Sequence, residues 1–329
     1  MINERLINKQ DKLETRDRKM QHTFSRILLP IDASSQSEAA IETTLTISKL
    51  FSSKVTIMHV VPNQILTLPN RIYVSRDSYA PISTATGQFP RTLIVPETKE
   101  YLIPEEVVNE ATASYMENGE NLLSETAALF AKEGITVDQK LENQNDVADS
   151  IIEEMAKGNY DHVIMGNSGN EDDESDLHLG SVAARVSASN LTSIMITRKK
   201  SELKRILLAV DGTEKDHKAI EQTFILAKAA KTKVVLLNVQ EKSLSRFGSK
   251  IEEFGRQILN SAASMLPEIE VEEKLLFGDP ANSIIEVAKQ TEVDLIILSR
   301  GGHGRLSGLL GSVSDHVLRH ATVSVLVVK

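Results

Sequence analysis

The run Ser299-Arg300-Gly301-Gly302-His303-Gly304-Arg305-Leu306-Ser307-Gly308-Leu309-Leu310-Gly311-Ser312-Val313 gathers glycine, hydroxyl and basic side chains in one short stretch. Glycine lets backbone N–H groups approach phosphate oxygens with no Cβ in the way, and a helix starting behind them adds about half a positive charge. The chemistry this suits is the gripping of a polyanion. Ser299, Gly302, Gly311, Ser312 and Val313 would form the cradle, the Ser312 hydroxyl would donate, and Arg300, His303 and Arg305 would supply charge. The same composition also makes an ordinary strand-to-helix turn, and the loop alone leaves both readings standing. Asp211 is the second candidate. It ends an apolar run, where a carboxylate needs a partner: an adenine amino group would serve, and so would the free N–H groups of a helix start.

Charge and composition remove other chemistries. The 329 residues carry Lys+Arg 37 against Asp+Glu 46, a formal net charge of −9. That disfavours unguided attraction to nucleic acid or an anionic membrane, and no basic block offsets it. Cysteine is absent, which excludes disulfides, thiolate zinc sites and thiol nucleophiles together. No apolar run reaches the roughly 18 residues that cross a bilayer. Met1-Ile2-Asn3-Glu4-Arg5 opens a charged arm rather than a signal peptide, so a soluble, cytoplasmic protein is expected. There is no Walker A lysine motif, no Gly-x-Ser-x-Gly elbow and no His-Glu-x-x-His helix, and His59, His162, His217, His316 and His320 are scattered. No catalytic or metal-ligating set is expected.

The elements that must position these residues occur twice. Arg26-Ile27-Leu28-Leu29-Pro30-Ile31-Asp32 reads against Arg205-Ile206-Leu207-Leu208-Ala209-Val210-Asp211, 179 positions on, while Asp161 answers Asp294 only 133 positions on. The first repeat therefore carries a net insertion of 46 residues, placed at about 62–104 where Pro62, Pro69, Pro81, Pro90, Pro96 and Pro104 interrupt regular elements. Within each repeat short apolar runs alternate with 3.6-periodic segments. Ile41, Thr44, Leu45 and Ser48 share one helical face, as do Ile220, Thr223, Phe224 and Ala227. Ser35-x-x-Glu38 is a capping-box pattern for the first helix. This alternation predicts two tandem, doubly wound (Rossmann-like) α/β domains, each a five-stranded mostly parallel sheet with helices on both faces, and ligands at the carboxyl ends of the strands. The expected division is a charged arm at 1–23, one domain at 24–200 and a second at 201–329.

The first repeat's counterpart loop, Gly166-Asn167-Ser168-Gly169, runs into an acidic stretch holding Glu171, Asp172, Asp173, Glu174 and Asp176 before Gly180-Ser181. Two unit charges about 8 Å apart in water repel by roughly 0.5 kcal/mol, so these carboxylates would oppose a polyphosphate if they faced it. A solvated loop pointing away is the alternative reading, and the spacing fits no EF-hand.

Ile206-Leu207-Leu208-Ala209-Val210-Asp211-Gly212-Thr213, Gly278-Asp279-Pro280, Asp294-Leu295-Ile296-Ile297-Leu298, Gly311-Ser312-Val313-Ser314 and the terminal Val325-Leu326-Val327-Val328 together resemble the universal stress protein family. The resemblance spans Phe24 to Lys329 and is better in the second repeat. It implies a Gly-x2-Gly-x9-Gly-Ser/Thr phosphate loop, an Asp after strand one that contacts adenine, and a Val opening strand two that lines the base pocket; these fall on Gly302, Gly311, Ser312, Asp211 and Val234. Two departures stand out: the first family glycine is Ser299, and eight residues rather than nine separate Gly302 from Gly311. The implied function is stress-response binding of ATP or a related adenine nucleotide, with or without magnesium, in the second domain, with slow or no hydrolysis and a degenerate first domain. The alternative is an interaction scaffold of the same fold that binds no nucleotide and recruits an unknown protein partner through the insertion. The resemblance also implies that Ser193 to Thr197 pairs with Val323 to Val328 inside one chain, as a pseudo-dimer that a homodimer would extend.

Overall fold

The computed structural model describes residues 23–62, 71–74, 99–102, 105–144, 146–168, 179–241, 243–244, 248–301 and 310–329. The arm at 1–22, most of the insertion, the acidic run at 170–178 and the loop residues Gly302, His303 and Arg305 lie outside them. The first half runs β1 (Arg26–Pro30), α1 (Ser35–Phe51), β2 (Lys54–Pro62), β3 (Arg71–Val74), β4 (Lys99–Leu102), α2 (Glu105–Lys132), β5 (Val137–Gln144), α3 (Val147–Lys157), β6 (His162–Gly166), α4 (Ser181–Ala188) and β7 (Ser193–Thr197). The second runs β8 (Arg205–Ala209), α5 (Asp216–Ala230), β9 (Lys233–Glu241), α6 (Ser249–Ser264), β10 (Val271–Gly278), α7 (Pro280–Gln290), β11 (Leu295–Ser299), α8 (Ser312–His320) and β12 (Ser324–Val328).

The ten long-range strands form one sheet in the order β10-β9-β8-β11-β12-β7-β6-β1-β2-β5. Each half is parallel throughout, with the order reversal beside its first strand that opens a crevice in doubly wound sheets. The halves join where β12 pairs antiparallel with β7, Leu326 opposite Met195. Strand residues alternate between two apolar cores. Ile206, Leu208 and Val210 face the layer of α1, α2, α5 and α6. Leu207, Leu237, Ile296 and Leu298 face the layer of α3, α4, α7 and α8. A strand covered on both faces is apolar at nearly every position, which is why these runs carry no alternation of polarity.

Equivalent devices hold both halves. Asp161 precedes β6 and accepts from Ser25 N–H at 2.8 Å, Ser25 Oγ at 2.7 Å and Arg26 N–H at 3.1 Å, tying down the entry to β1. Asp294 does the same before β11, accepting from Lys204 N–H at 3.0 Å and Arg205 N–H at 3.4 Å. Asp279 caps α7 through the Asn282 N–H at 2.9 Å with Pro280 behind it, and Asp146 caps α3 through the Asp149 N–H at 2.9 Å. His59 and His162 are structural. His59 Nδ1 lies 2.9 Å from the Ile31 carbonyl oxygen, and His162 is buried at the join between halves, its Nε2 3.2 Å from Gln222 Oε1.

The structure corrects two local expectations. Ser35 is the first residue of α1 rather than its cap; Ser34 precedes it, and its hydroxyl binds Asp32 instead of capping the helix. The insertion carries a regular element despite its prolines, since β3 and β4 pair antiparallel with Arg71 opposite Leu102. A two-stranded ribbon tolerates nearby proline because its outer N–H groups need no partner.

Replacing Asp161 by Ala leaves the Ser25 and Arg26 amides without their acceptor. A loss of about 1–3 kcal/mol in urea unfolding is expected; an unchanged midpoint and slope would show that this carboxylate does not hold β1.

Candidate functional site

The crevice lies where β8, β11 and the start of α8 meet. The chain leaves β11 through Arg300 and Gly301 and returns so close that Gly311 N–H donates to the Arg300 carbonyl at 2.8 Å. A Cβ placed on Gly301 would stand 3.8 Å from both Gly311 Cα and Gly311 N, so the two ends of the loop nearly touch. Gly311 holds the position before α8 in extended backbone, φ −66 and ψ 151, and no side chain of a described residue caps the helix. Ser312 is exposed and Val313 half-buried. The first turn of α8 thus presents backbone amides and a partial positive charge at the end of β11.

Asp211 lies two residues beyond Ala209, the last residue of β8, which packs on the α7/α8 side. Its Oδ1 accepts from Thr213 N–H at 2.9 Å, closing a short side-chain turn. Its other oxygen has no partner among the described residues. Asp211 does not cap α5, which begins at Asp216 behind Lys215. Of the two roles read from sequence, the helix cap is therefore not the one that Asp211 fills.

Three expected residues are not brought to the crevice. Val234 is 0% exposed, pairs with Ile206 at the amino end of the sheet, and faces the α5/α6 core. It stands at the wrong end and on the wrong face to line a base pocket. Counting by twos from Val235 and Leu237 reaches Val239, half-buried on the α7/α8 side near the carboxyl end of β9. Strand period alone would have selected it. Ser299 turns the other way, and its hydroxyl donates to Asp216 Oδ1 at 3.1 Å. Arg300 is 8% exposed, and its guanidinium donates to the Ser187 carbonyl at the end of α4 in the first half. Arg198 of the first half donates likewise to the Leu318 carbonyl of α8, so a guanidinium crosses the join in each direction.

A residue missed by the sequence reading takes the vacated place. A Cβ on Gly301 would lie 3.5 Å from Lys215 Nζ, which sets an ammonium beside the entrance of the loop. The register between repeats gives the reason. Lys215 answers Gln36, whose backbone oxygen would be 2.9 Å from a Cβ on Gly166, the first-half counterpart of Ser299. Asp216 answers Ser37, whose hydroxyl donates to Asp32 at 2.7 Å. The glycine-and-serine pair of the first half has become serine and aspartate in the second.

Asp216 is 3% exposed. Its Oδ2 accepts from the N–H groups of Asp211 and Gly212, both at 2.8 Å. Burial, and then the neighbouring Asp211 charge, push its pKa up to about 6 from the usual 3.8, against the opposing pull of those hydrogen bonds. The folded chain therefore holds this proton more tightly than the unfolded chain. Below about pH 4 both are protonated and nothing is lost; stability falls as pH rises from about 4 to about 6, and above that the full cost, roughly 3 kcal/mol, is present. Asp216→Asn should remove this part of the slope in urea unfolding between pH 4 and 7, whereas an identical slope in the variant would contradict the assignment.

Among the described residues no group of three or more His, Asp or Glu side chains can hold a metal ion, and no helix is long and apolar enough to cross a membrane. Residues 202–329 match the family model described as the universal stress protein family. A universal stress protein of Methanocaldococcus jannaschii is 30% identical over 139 residues, covering 38% of this chain and 82% of the relative. One of Bacillus subtilis is 28% identical over 145 residues, covering 38% of this chain and 98% of the relative. Among solved structures, a universal stress protein from Archaeoglobus fulgidus superposes with a TM-score of 0.64 at 21% identity, over 94% of this chain and 98% of its own. A functionally unknown protein from Pseudomonas aeruginosa gives 0.65 at 14% identity, over 94% of each chain. These likenesses extend the shared fold across both halves, and with the match of the second half they place the chain in the universal stress protein family.

Proposed function

We propose that the chain is a nucleotide-responsive binding protein that holds ATP or a related adenine nucleotide in its second half. The observation that carries this reading is the pinched loop: Gly311 returns to the Arg300 carbonyl and delivers the uncapped start of α8 to the end of β11, the strand beside the one that Asp211 follows. The phosphates would take the amides of Gly311, Ser312 and Val313, together with Gly302, His303 and Arg305 of the loop. Lys215 would add the charge that Arg300 does not bring. Asp211 would accept from the adenine amino group, with Val239 rather than Val234 against the base. A magnesium ion would be carried by the phosphates, since the described residues supply no cluster for it.

Binding rather than turnover is the activity this supports. Asp216 is the carboxylate with the raised pKa, yet both its oxygens are engaged and it stands on the far side of the sheet from α8. It is badly placed as a general base. The first half, at 24–200, would be the weaker site, because the carboxylates of its loop would oppose a polyanion that they faced. A stress-related role in the cytoplasm would suit this family. The scaffold reading is favoured by the commitment of Ser299 and Arg300 to the fold, which leaves the loop fewer free groups.

Calorimetry with ATP on the full chain separates the two. Asp211→Ala should weaken binding about 10- to 150-fold, the worth of one charge-assisted hydrogen bond. Gly311→Val should abolish it, and Lys215→Ala should weaken it several-fold with a shallower salt dependence. Equal affinity in wild type and Gly311→Val, or none in either, would favour the scaffold.

A further inference from the structure

We propose that His316 and His320, one turn apart on α8, form a two-ligand site for a divalent first-row transition metal of the zinc, copper or nickel kind. Residues four apart on a helix stand one above the other on the same side. The two rings do meet, with centroids 4.3 Å apart and planes inclined at 52°. His320 is exposed and His316 half-buried, so an ion can reach the pair from solvent. Histidines at this spacing are the pair that a helix offers to zinc in metalloprotease-type motifs.

The separation is close to what a shared ion requires. A zinc–nitrogen bond is about 2.0–2.1 Å and the centre of an imidazole lies about 1.1 Å behind its nitrogen, which sets each ring centre about 3.2 Å from the metal. Two such rings meeting the metal at about 90–109° have their centres about 4.5–5.2 Å apart. The 4.3 Å found is about 0.2 Å short of the lower value, a gap that a small outward turn of the exposed His320 ring closes.

The donor set fixes the class of metal. Imidazole nitrogen suits zinc, copper and nickel, whereas magnesium, calcium and manganese take oxygen donors. No third His, Asp or Glu completes the set among the described residues, so water fills the remaining positions and the site holds its ion at the surface. The charges nearby tolerate a cation. His320 stands in the last turn of α8, at the negative end of the helix, part of which Arg198 already uses through the Leu318 carbonyl. Arg319, next in sequence, is matched by Asp315, whose Oδ2 lies 2.8 Å from its Nε. An ion bridging the two rings would tie down the last turn of the helix whose first turn forms the crevice, and this needs no nucleotide.

Calorimetry of zinc chloride into the full chain, without ATP, which would itself take the metal, should find a site of roughly 1–200 μM, about what half the ligand set of a structural zinc site supplies. Copper should bind more tightly than zinc, and magnesium not at all. His316→Ala and His320→Ala should each weaken zinc about tenfold or more. His320 is exposed, so His320→Ala should leave metal-free thermal unfolding unchanged. With one equivalent of copper, electron paramagnetic resonance should show two coordinated imidazole nitrogens in wild type and one in either variant. The proposal is overturned if zinc binds both alanine variants as it binds wild type, if equimolar calcium displaces it, or if no zinc binds below about 1 mM to cooperatively folding protein.

Discussion

The backbone hydrogen bond from Gly311 to the Arg300 carbonyl pinches shut the loop that follows β11, and through it the start of α8 is held at the end of that strand. The first half repeats the arrangement, with Gly180 N–H on the Asn167 carbonyl at 2.7 Å. In the first half a Cβ on Gly180 would lie 3.2 Å from both the Asn167 carbonyl oxygen and Ser168 Cα, so the chain leaves and returns there through a gap that suits glycine. Where the helix starts decides where its unpaired amides point, and hence what an anion would meet. Asp211, the hydroxyl of Ser312 and the ammonium of Lys215 have meaning only relative to that fixed point.

Around this shared constraint the halves have diverged in a concerted way. Gly166 and Ser37 of the first half correspond to Ser299 and Asp216 of the second, and the two replacements bind each other. The exchange keeps the strand end and the helix start in contact but introduces a buried carboxylate beside Asp211. Three hydrogen bonds offset its desolvation only in part, which is why its pKa stays high. The join between halves is likewise polar at its rim and apolar within. Val325, Leu326 and Val327 meet Ile194, Met195 and Ile196 across β12 and β7, while Arg198 and Arg300 each reach a helix-end carbonyl on the other side. Those carbonyls carry the negative end of a helix, so the guanidinium is well placed there. Arg300 thereby ties the strand that feeds the loop to α4 of the other half.

Much of this was legible in the sequence. The internal repeat aligned Asp32 with Asp211 and Gly180 with Gly311, and apolar runs separated by periodic segments were enough for the element order and the two-layer covering of the sheet. What escaped was direction. The apolar stretch of β9 gives no polarity signal for which face is which, and Val234 was placed by its position at a strand opening rather than by register with Asp211. Arg300 was read as a loop cation because its acceptor belongs to α4, 113 positions away. Lys215 looked like any surface lysine until the fold brought Gly301 beneath it. The state of Asp216 depends on burial, which no local pattern reveals, although its pairing with Ser299 was visible as a double exchange between repeats.

Amide hydrogen exchange of the full chain with and without ATP tests the central claim most directly. Protection should rise at Gly311 to Ser314 and at Asp211 to Thr213, with the amino end of β9 around Val234 unchanged. If the first turn of α8 exchanges at the same rate in saturating ATP, the pinched loop is a structural turn and the chain's role lies elsewhere.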